Sequence, residues 1–155
     1  MSAEWDAFFI GLAKYMAEAS KDPSTQVGAV IVRPNRTVAS VGYNGFARGC
    51  CDDSHLYDER ATKYARTVHA EANAIVTARE SLHGYTLYSW PFQPCSGADG
   101  GNNCSGLIIQ AGIKRVVSLT SNNPRWNDTF AHGATMFAEA GVELVLYPST
   151  ALERA

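Results

Sequence analysis

The stretch "YTLYSWPFQPCSGADGGNNCSGLIIQAGIKRVVSLT", residues 85–120, contains the alternation of strand, helix and strand from which we predict the fold. Its two ends, "YTLYSW" and "KRVVSLT", indicate strands. The apolar run "CSGLIIQAGI" between them indicates a helix. Two strands of one sheet that are joined by a crossover helix lie parallel, and the connection is right-handed. We therefore predict a parallel pair of strands over this stretch.

The sequence on both sides continues the alternation. Upstream, apolar residues recur at helical spacing over residues 4–20, and two short runs at 25–32 and 37–44 are joined by the turn signal "RPNR", which indicates a β-hairpin. The other predicted elements are helices over residues 69–81 and 125–141 and a strand over residues 142–148. We predict a single domain, residues 1–155, with an α/β fold of three α/β/α layers, in which helices flank both faces of a five-stranded mixed sheet.

Composition narrows the classes of function. The 155-residue chain is 46% hydrophobic, enough for a core of ordinary size, and its net charge of -2 gives no basic surface for a nucleic-acid partner. The N-terminal residues contain no cationic region before an apolar run and no uninterrupted apolar span, so we expect neither a signal peptide nor a membrane segment. A cytoplasmic protein with a small-molecule substrate fits best. In that reducing compartment the four cysteines are expected to be free or metal-bound.

Four residues suggest metal chemistry. His69 and Glu71 open one predicted helix as His-x-Glu, while Cys95 and Cys104 flank the start of the next helix. The positive end of a helix dipole favours a thiolate at Cys104. One imidazole and two thiolates suit Zn²⁺, and three protein ligands are typical of a catalytic site. Glu71 is then better placed as a proton carrier than as a fourth ligand.

Each of these residues also has a common structural role. A Glu in the first turn of a helix can act as a cap, a lone His is often a buried or surface residue, and two cysteines are often inert buried thiols. The combination is more specific than its parts, because zinc deaminases carry H-x-E followed by P-C-x-x-C. Here "HAE" at residues 69–71 is followed by "PC" at residues 94–95.

Longer segments strengthen this likeness. They are "SKDPSTQVGAVIV", "GYNGFARG", "VHAEANAI", "TLYSWPFQPC" and "IIQAGIKRVV". With them the chain resembles the deoxycytidylate (dCMP) deaminases of the zinc-dependent cytidine deaminase superfamily. The resemblance implies that His69, Cys95 and Cys104 bind zinc and that Glu71 shuttles a proton to the pyrimidine ring nitrogen and then to the leaving ammonia. The product would be dUMP, which feeds thymidylate synthesis.

The sequence departs from the family pattern between the two cysteines. Family members usually have two residues there, whereas this chain has eight, residues 96–103. The segments "QPC" and "CSGLIIQAGI" match the family pattern on the two sides of this longer gap, so both candidate ligands are retained. Because these eight residues are mostly glycine or polar, we expect a mobile surface excursion, with a lid that contacts the nucleotide or a neighbouring subunit as the alternative. A second departure is Ala47, where the family often has proline.

Substrate contacts are implied by the same resemblance. Asn44 would bind the sugar or base of the nucleotide, and the backbone at Ala70 would read the pyrimidine edge. Val27 could pack against the ring. From side-chain chemistry, Ser24 and Arg125 are the candidates for the 5′-phosphate, because a hydroxyl can donate to it and a guanidinium matches its geometry. The alternatives are a turn residue for Asn44, a core residue for Val27, and solvated loop residues for Ser24 and Arg125.

Regulation is implied as well. Relatives are commonly hexamers that dCTP activates and dTTP inhibits, with the "GYNG" loop (Gly42, Tyr43, Asn44 and Gly45) in the effector site. Arg48 and Lys63 could meet triphosphate oxygens there, and surface solvation is the alternative for both. Cys50 and Cys51 could form a second zinc site, but His55 and His83 make no recognised ligand set with them.

Two other functions remain open from sequence. One is a different zinc deaminase that acts on free cytidine, on guanine or on adenosine in tRNA. The other is a non-catalytic nucleotide sensor of the same fold, with the long gap between Cys95 and Cys104 as a sign of decay. Ammonia release from a panel of nucleotides would discriminate between these functions.

Overall fold

A computed structural model of the chain describes residues 2–98 and 100–152. The helices within those residues are α1 (Ala3–Ala17), α2 (Arg60–Arg66), α3 (Ala70–Thr77), α4 (Cys104–Gln110) and α5 (Asn127–Ala140). The strands are β1 (Gly28–Val32), β2 (Val38–Tyr43), β3 (Gly45–Phe46), β4 (Thr67–Val68), β5 (Thr86–Trp90), β6 (Arg115–Leu119) and β7 (Glu143–Tyr147). Short 3₁₀ turns cover Ser54–Tyr57, Pro124–Trp126 and Ser149–Leu152.

The main sheet of the described residues has five strands in the order β2-β1-β5-β6-β7. β1 is antiparallel to both β2 and β5, whereas β5, β6 and β7 are parallel to one another. The parallel pair predicted over residues 85–120 is therefore confirmed, as is the five-stranded mixed sheet. β2 and β5, which are joined through α3, run in the same direction with β1 between them.

Helices cover both faces of this sheet, which confirms the three α/β/α layers. On one face α1 buries Phe9, Ile10 and Ala13 against β1, β5 and β6. On the other face α3, α4 and α5 contribute an apolar cluster that includes Ala74, Ile108 and Phe137. The hydrophobic spacing read from the sequence therefore corresponds to two separate cores, one on each side of the strands.

Two glycines allow the β-hairpin to lie tightly between these layers. A Cβ atom at Gly28 would lie 1.8 Å from the carbonyl oxygen of Ala13 in α1. A Cβ atom at Gly42 would lie 2.4 Å from the carbonyl oxygen of Ala70 in α3. Because real Cβ atoms do not approach so closely, any side chain at Gly42 would push away the start of α3, where the candidate site begins.

The α1 face also holds a buried charged group. Asp6 is fully buried, and its two carboxylate oxygens accept hydrogen bonds from both terminal nitrogens of Arg115, at 2.7 and 2.8 Å. The hydroxyls of Tyr88 and Tyr147 donate to the same carboxylate at 2.8 and 2.7 Å. This cluster joins α1 to β5, β6 and β7.

Several predicted boundaries are corrected. The first strand begins at Gly28, because residues 25–27 form a loop held by the side chain of Asn44. The helix predicted over residues 4–20 is Ala3–Ala17, and the one predicted over residues 69–81 is Ala70–Thr77. The segment between the hairpin and α3 contains α2 and a two-stranded ribbon, β3–β4, where the sequence indicated a polar loop. No residue of α2 is buried, so this segment lacks the periodic apolar residues that indicate a helix.

None of the helices that the structure describes is long and apolar enough to cross a membrane.

Candidate active site

Three potential metal ligands lie together at one end of the sheet. His69 immediately precedes α3, Cys95 lies in the loop after β5, and Cys104 is the first residue of α4. The Nδ1 atom of His69 is 3.5 Å from Sγ of Cys95 and 3.4 Å from Sγ of Cys104. The three ligand atoms all lie within 4.8 Å of one another. One imidazole and two thiols fit zinc, which prefers nitrogen and sulfur ligands in tetrahedral geometry.

The two cysteines are held together through the backbone. The carbonyl oxygen of Cys95 accepts hydrogen bonds from the backbone N–H and the hydroxyl of Ser105, both at 2.9 Å. The side chain of Asn103 caps α4 by accepting from the N–H of Gly106 at 2.9 Å. Since Ser105 follows Cys104 directly, the two thiols approach each other despite the eight residues between them.

Glu71 lies in the first turn of α3 with only 3% of its surface exposed. Burial raises the pKa of its carboxyl, and the neighbouring His69 only partly offsets this effect. His69 itself is not helical, since its φ and ψ of -69° and 155° are extended. The side chain of His69 therefore faces the thiols, whereas Glu71 is part of the helix. The candidate ligand and the proton carrier thus have different backbone conformations.

The two thiols shift each other's pKa in opposite directions. A hydrogen bond from Cys104 lowers the pKa of Cys95, and the nearby His69 lowers it further. The same hydrogen bond, together with burial, raises the pKa of Cys104. Metal binding requires both cysteines as thiolates, so a bound cation would displace the protons that these thiols hold.

The sequence also matches a known family. Residues 3–120 match the model described as "Cytidine and deoxycytidylate deaminase zinc-binding region". The chain belongs to this deaminase family. The match includes His69, Glu71, Cys95 and Cys104, so the expected zinc cofactor is confirmed for the family and the ligand cluster is suited to hold it.

Individual relatives of this deaminase cover most of the chain. It is 40% identical over 151 residues to a protein of Aliivibrio fischeri named "Uncharacterized deaminase in luxG 3'region", covering 96% of this chain and 97% of that protein. It is 39% identical over 145 residues to the deoxycytidylate deaminase of Mus musculus, covering 90% of this chain and 77% of that protein. The crystal structure of the dCMP deaminase from cyanophage S-TIM5, in apo form, superposes with a TM-score of 0.67 at 25% identity, covering 95% of this chain and 100% of that one.

Of the expected substrate contacts in the deaminase, Asn44 has a clear structural role. Its Oδ1 accepts from the N–H of Val27 and its Nδ2 donates to the carbonyl of Thr25, both at 2.8 Å. Val27 is 8% exposed and belongs to the core on the α3 face, beside Ala70. Asn44 thus fastens the loop before β1, and nucleotide contacts for Asn44, Val27 and Ala70 stay predictions.

The two phosphate candidates lie on different surface segments. Ser24 lines a depression of about 590 Å³ formed by residues 20–26 with Trp90 and Pro91. Arg125 is exposed, donates to the hydroxyl of Tyr64 at 2.9 Å and lies over the ring of Trp126. Both phosphate contacts stay predictions.

The residues expected at an effector site differ in exposure. Tyr43 is 41% exposed and Arg48 is exposed, whereas Gly42 is buried and Gly45 is half-buried in β3. Lys63 is not a solvated lysine, because its side chain is 12% exposed and its ammonium lies 2.8 Å from the carboxylate of Asp22. Effector binding by these residues and by Asn44 stays a prediction.

The remaining cysteines and histidines lie outside this cluster. Cys50 and Cys51 are exposed free thiols, and His55, His83 and His132 are exposed. Within residues 2–98 and 100–152, only His69, Cys95 and Cys104 come close enough to hold a metal.

Sequence reasoning missed one contact at the ligand cluster and one at the phosphate candidate Arg125. Asn102, in the segment between the cysteines, lies against His69, and Tyr64 on α2 joins Arg60 to Arg125. No hydrophobic pattern marks the contact of Asn102 with His69 or that of Tyr64 with Arg125, since each joins residues that are far apart in sequence. The presence of an asparagine in a loop that starts and ends at a ligand was the only available signal for the first.

Proposed function

We propose that the chain deaminates dCMP to dUMP and ammonia with zinc held by His69, Cys95 and Cys104. The observation that carries this proposal is the buried Glu71 carboxyl, with its raised pKa, beside a cluster of one imidazole and two thiols. The choice of dCMP is supported by relatives named deoxycytidylate deaminase, such as that of Mus musculus. A sensor without catalysis would have no use for a proton carrier at this position.

In the proposed reaction the protein moves two protons through one carboxylate. Zinc, when bound, makes water acidic enough to supply hydroxide near neutral pH. Glu71 would take up one proton of the attacking water and pass it to the ring nitrogen N3, where it stays. Glu71 would then carry the second proton, from the hydroxyl formed at C4, to the departing amino group. A C4–O bond forms and the C4–N4 bond breaks, so that dCMP and water become dUMP and ammonia. Burial of Glu71 suits this role, since a raised pKa lets the carboxyl hold a proton between transfers.

The 5′-phosphate would separate dCMP from free deoxycytidine. Ser24 could donate its hydroxyl to the phosphate from the depression beside Trp90. Arg125 would offer a planar guanidinium, held in place by Tyr64. We assign the phosphate to these residues and expect Arg125→Ala to raise the KM for dCMP severalfold, with little change for deoxycytidine. The exposed Arg79→Ala is the control for removing a surface charge.

The decisive experiment is ammonia release by the purified protein with dCMP, CMP, deoxycytidine and dCTP, alongside its zinc content. We expect about one zinc per chain and the highest kcat/KM for dCMP. A protein that holds zinc but prefers deoxycytidine or CMP would move the proposal to another substrate of the same chemistry. A protein that binds no zinc and releases no ammonia from any of the four would overturn it.

We also propose regulation by dCTP and dTTP in a hexamer, with the "GYNG" loop at the effector site. Exposed Tyr43 and Arg48 in and beside that loop support the proposal, since both are open to a nucleotide or a neighbouring subunit. Light scattering and dCMP kinetics with each nucleotide test it. Hyperbolic kinetics of a monomer that neither nucleotide alters would contradict it. A cytoplasmic location and a single functional domain over residues 1–155 stay predictions.

A further inference from the structure

The segment between the two cysteines folds back over the site. At its start, the N–H of Ser96 donates to the hydroxyl of Thr129 in α5 at 2.8 Å, and that hydroxyl donates to the carbonyl of Ser96 at 2.9 Å. A turn then follows, in which the N–H of Gly100 donates to the carbonyl of Gly97 at 3.0 Å. After this turn the chain returns toward Cys95 and His69 through Asn102. Ser96 is buried, whereas residues 97, 98 and 100–103 are exposed as expected, and the segment is anchored to the site at both of its ends.

Asn102 contacts two of the three candidate ligands. Its side-chain nitrogen Nδ2 lies 3.1 Å from Nε2 of His69, on the side of the ring opposite the thiols. Its backbone carbonyl accepts from Sγ of Cys95 at 3.2 Å. The imidazole of His69 is therefore held at both nitrogens, with Nδ1 facing the thiols and Nε2 facing Asn102.

We propose that Asn102 is a positioning residue that orients His69 as a zinc ligand, an inference that rests on the proposed zinc site. A histidine that binds a metal through one nitrogen donates its other N–H to an acceptor, which fixes the tautomer and the orientation of the ring. Here the metal would take Nδ1, and the proton would reside on Nε2. The amide of Asn102 provides an acceptor for that proton, because rotation of the amide by half a turn brings Oδ1 toward Nε2.

Only the side-chain contact of Asn102 can survive metal binding. Once Cys95 is a thiolate it has no proton to donate to the carbonyl of Asn102, so that contact loses its favourable character. The contact with His69 becomes stronger, because a cation on Nδ1 makes the Nε2–H a better donor. The eight-residue segment therefore supplies a metal-supporting hydrogen bond that a two-residue connection between the cysteines has no side chain in this position to provide.

The expected size of the effect follows from similar supporting contacts. Their removal typically lowers metal affinity 10- to 100-fold. Asn102 is exposed, so water can replace part of the lost contact. We therefore expect Asn102→Ala to lower zinc affinity by about 10-fold, at the low end of this range.

The experiment measures zinc affinity by competition with a chromogenic chelator, and the ligand field through the visible spectrum of the Co²⁺-loaded protein. Three variants are compared with the wild type: Asn102→Ala, Asn102→Asp and Asn103→Asp. Asn102→Asp keeps an acceptor for Nε2–H. Asn103→Asp is the matched control, because it adds the same charge to the neighbouring residue and keeps the acceptor that caps α4.

The proposal predicts that Asn102→Ala loses affinity and shifts the Co²⁺ bands, while Asn102→Asp and Asn103→Asp stay within about twofold of the wild type. Three results would overturn it. They are an unchanged affinity for Asn102→Ala, an equal loss in Asn103→Asp, and a loss in Asn102→Asp as large as in Asn102→Ala. A wild type that deaminates dCMP and binds zinc while Asn102→Ala shows no loss would refute only the role of Asn102. A wild type that binds no zinc would instead refute the proposed function.

Discussion

Asp6 on the α1 face of the sheet and Glu71 on the α3 face are both buried carboxyl groups, and their pKa values shift in opposite directions. On the α1 face Asp6 is fully buried, and burial alone would raise its pKa. Hydrogen bonds from Arg115, Tyr147 and Tyr88 outweigh that effect and lower the pKa below 3.8. On the α3 face Glu71 is almost as buried, but there burial prevails and the pKa rises.

The difference shows that burial by itself does not distinguish a structural carboxylate from a chemical one. Asp6 is surrounded by donors that stabilise its ionised form, and it connects α1 to three strands. Glu71 is surrounded by groups that themselves gain or lose protons, His69 and Cys104 among them. A carboxyl with fixed donors stabilises a fold, whereas one with a raised pKa beside metal ligands can take up and release protons.

The largest expected effect is a loss of activity on substitution of Glu71. Glu71→Gln replaces the proton carrier by an amide of similar shape, and we expect kcat for dCMP to fall about 10²- to 10⁴-fold. The zinc content should stay at the wild-type level, because the substituted side chain lies outside the ligand set. Measurements of ammonia release and bound zinc check both parts, with the exposed Glu139→Gln as control. A rate near that of the wild type would remove Glu71 from the mechanism.

The second prediction concerns stability, for which we expect the larger effect at Asp6 and not at Glu71. Asp6→Asn leaves the Arg115 guanidinium, 15% exposed, without its main partner. Removal of one member of a buried ion pair costs about 3–5 kcal/mol, and we expect about 3 because Glu143 also contacts Arg115. Urea unfolding measures the loss, and the activity per folded molecule should stay unchanged. Glu71→Gln should not lower the free energy of unfolding, since burial disfavours the charge it removes. Equal stability losses in both variants would contradict the distinction.

The third prediction concerns the free energy of unfolding at low pH. A carboxyl whose pKa is lower in the folded than in the unfolded state stabilises the fold above its unfolded pKa, and this contribution disappears as the pH falls through the folded pKa. For Asp6, whose pKa lies below 3.8, the free energy of unfolding should therefore decline as the pH falls below about 4. The Asp6→Asn variant should show a shallower decline over that window. Urea titrations of both proteins between about pH 7 and pH 3 make the comparison, and parallel curves would exclude Asp6 as the source.

Much of the architecture follows from apolar spacing. The hairpin, the parallel pair β5–β6 and the helices α1, α4 and α5 each bury an apolar face, and that face is visible in the sequence. The helix α2 and the ribbon β3–β4 escaped prediction for a physical reason. α2 buries no residue, and each strand of the ribbon is only two residues long, so neither produces a hydrophobic period.

The candidate site likewise contains residues that the sequence predicts and contacts that it does not. His69, Glu71, Cys95 and Cys104 lie in a motif whose order is readable along the chain. The contact of Asn102 with His69 depends on how the loop returns after the turn at Gly100, which no local pattern encodes. Lys63 shows the converse case, because a lysine on an exposed helix reads as solvated until its pairing with Asp22 is known.

The smallest expected effect tests which donors keep Asp6 ionised. Tyr147→Phe removes one hydroxyl that donates to Asp6, and a hydrogen bond to a charged group contributes about 1.5–3 kcal/mol. We expect a loss of about 1.5 kcal/mol, because Tyr147 is partly exposed and Arg115 and Tyr88 continue to bind the carboxylate. In the background of Asp6→Asn the same change should cost less, since the charged acceptor is already gone. A double-mutant cycle measured in urea gives this difference directly. Full additivity would mean that Tyr147 stabilises the protein by packing rather than through Asp6.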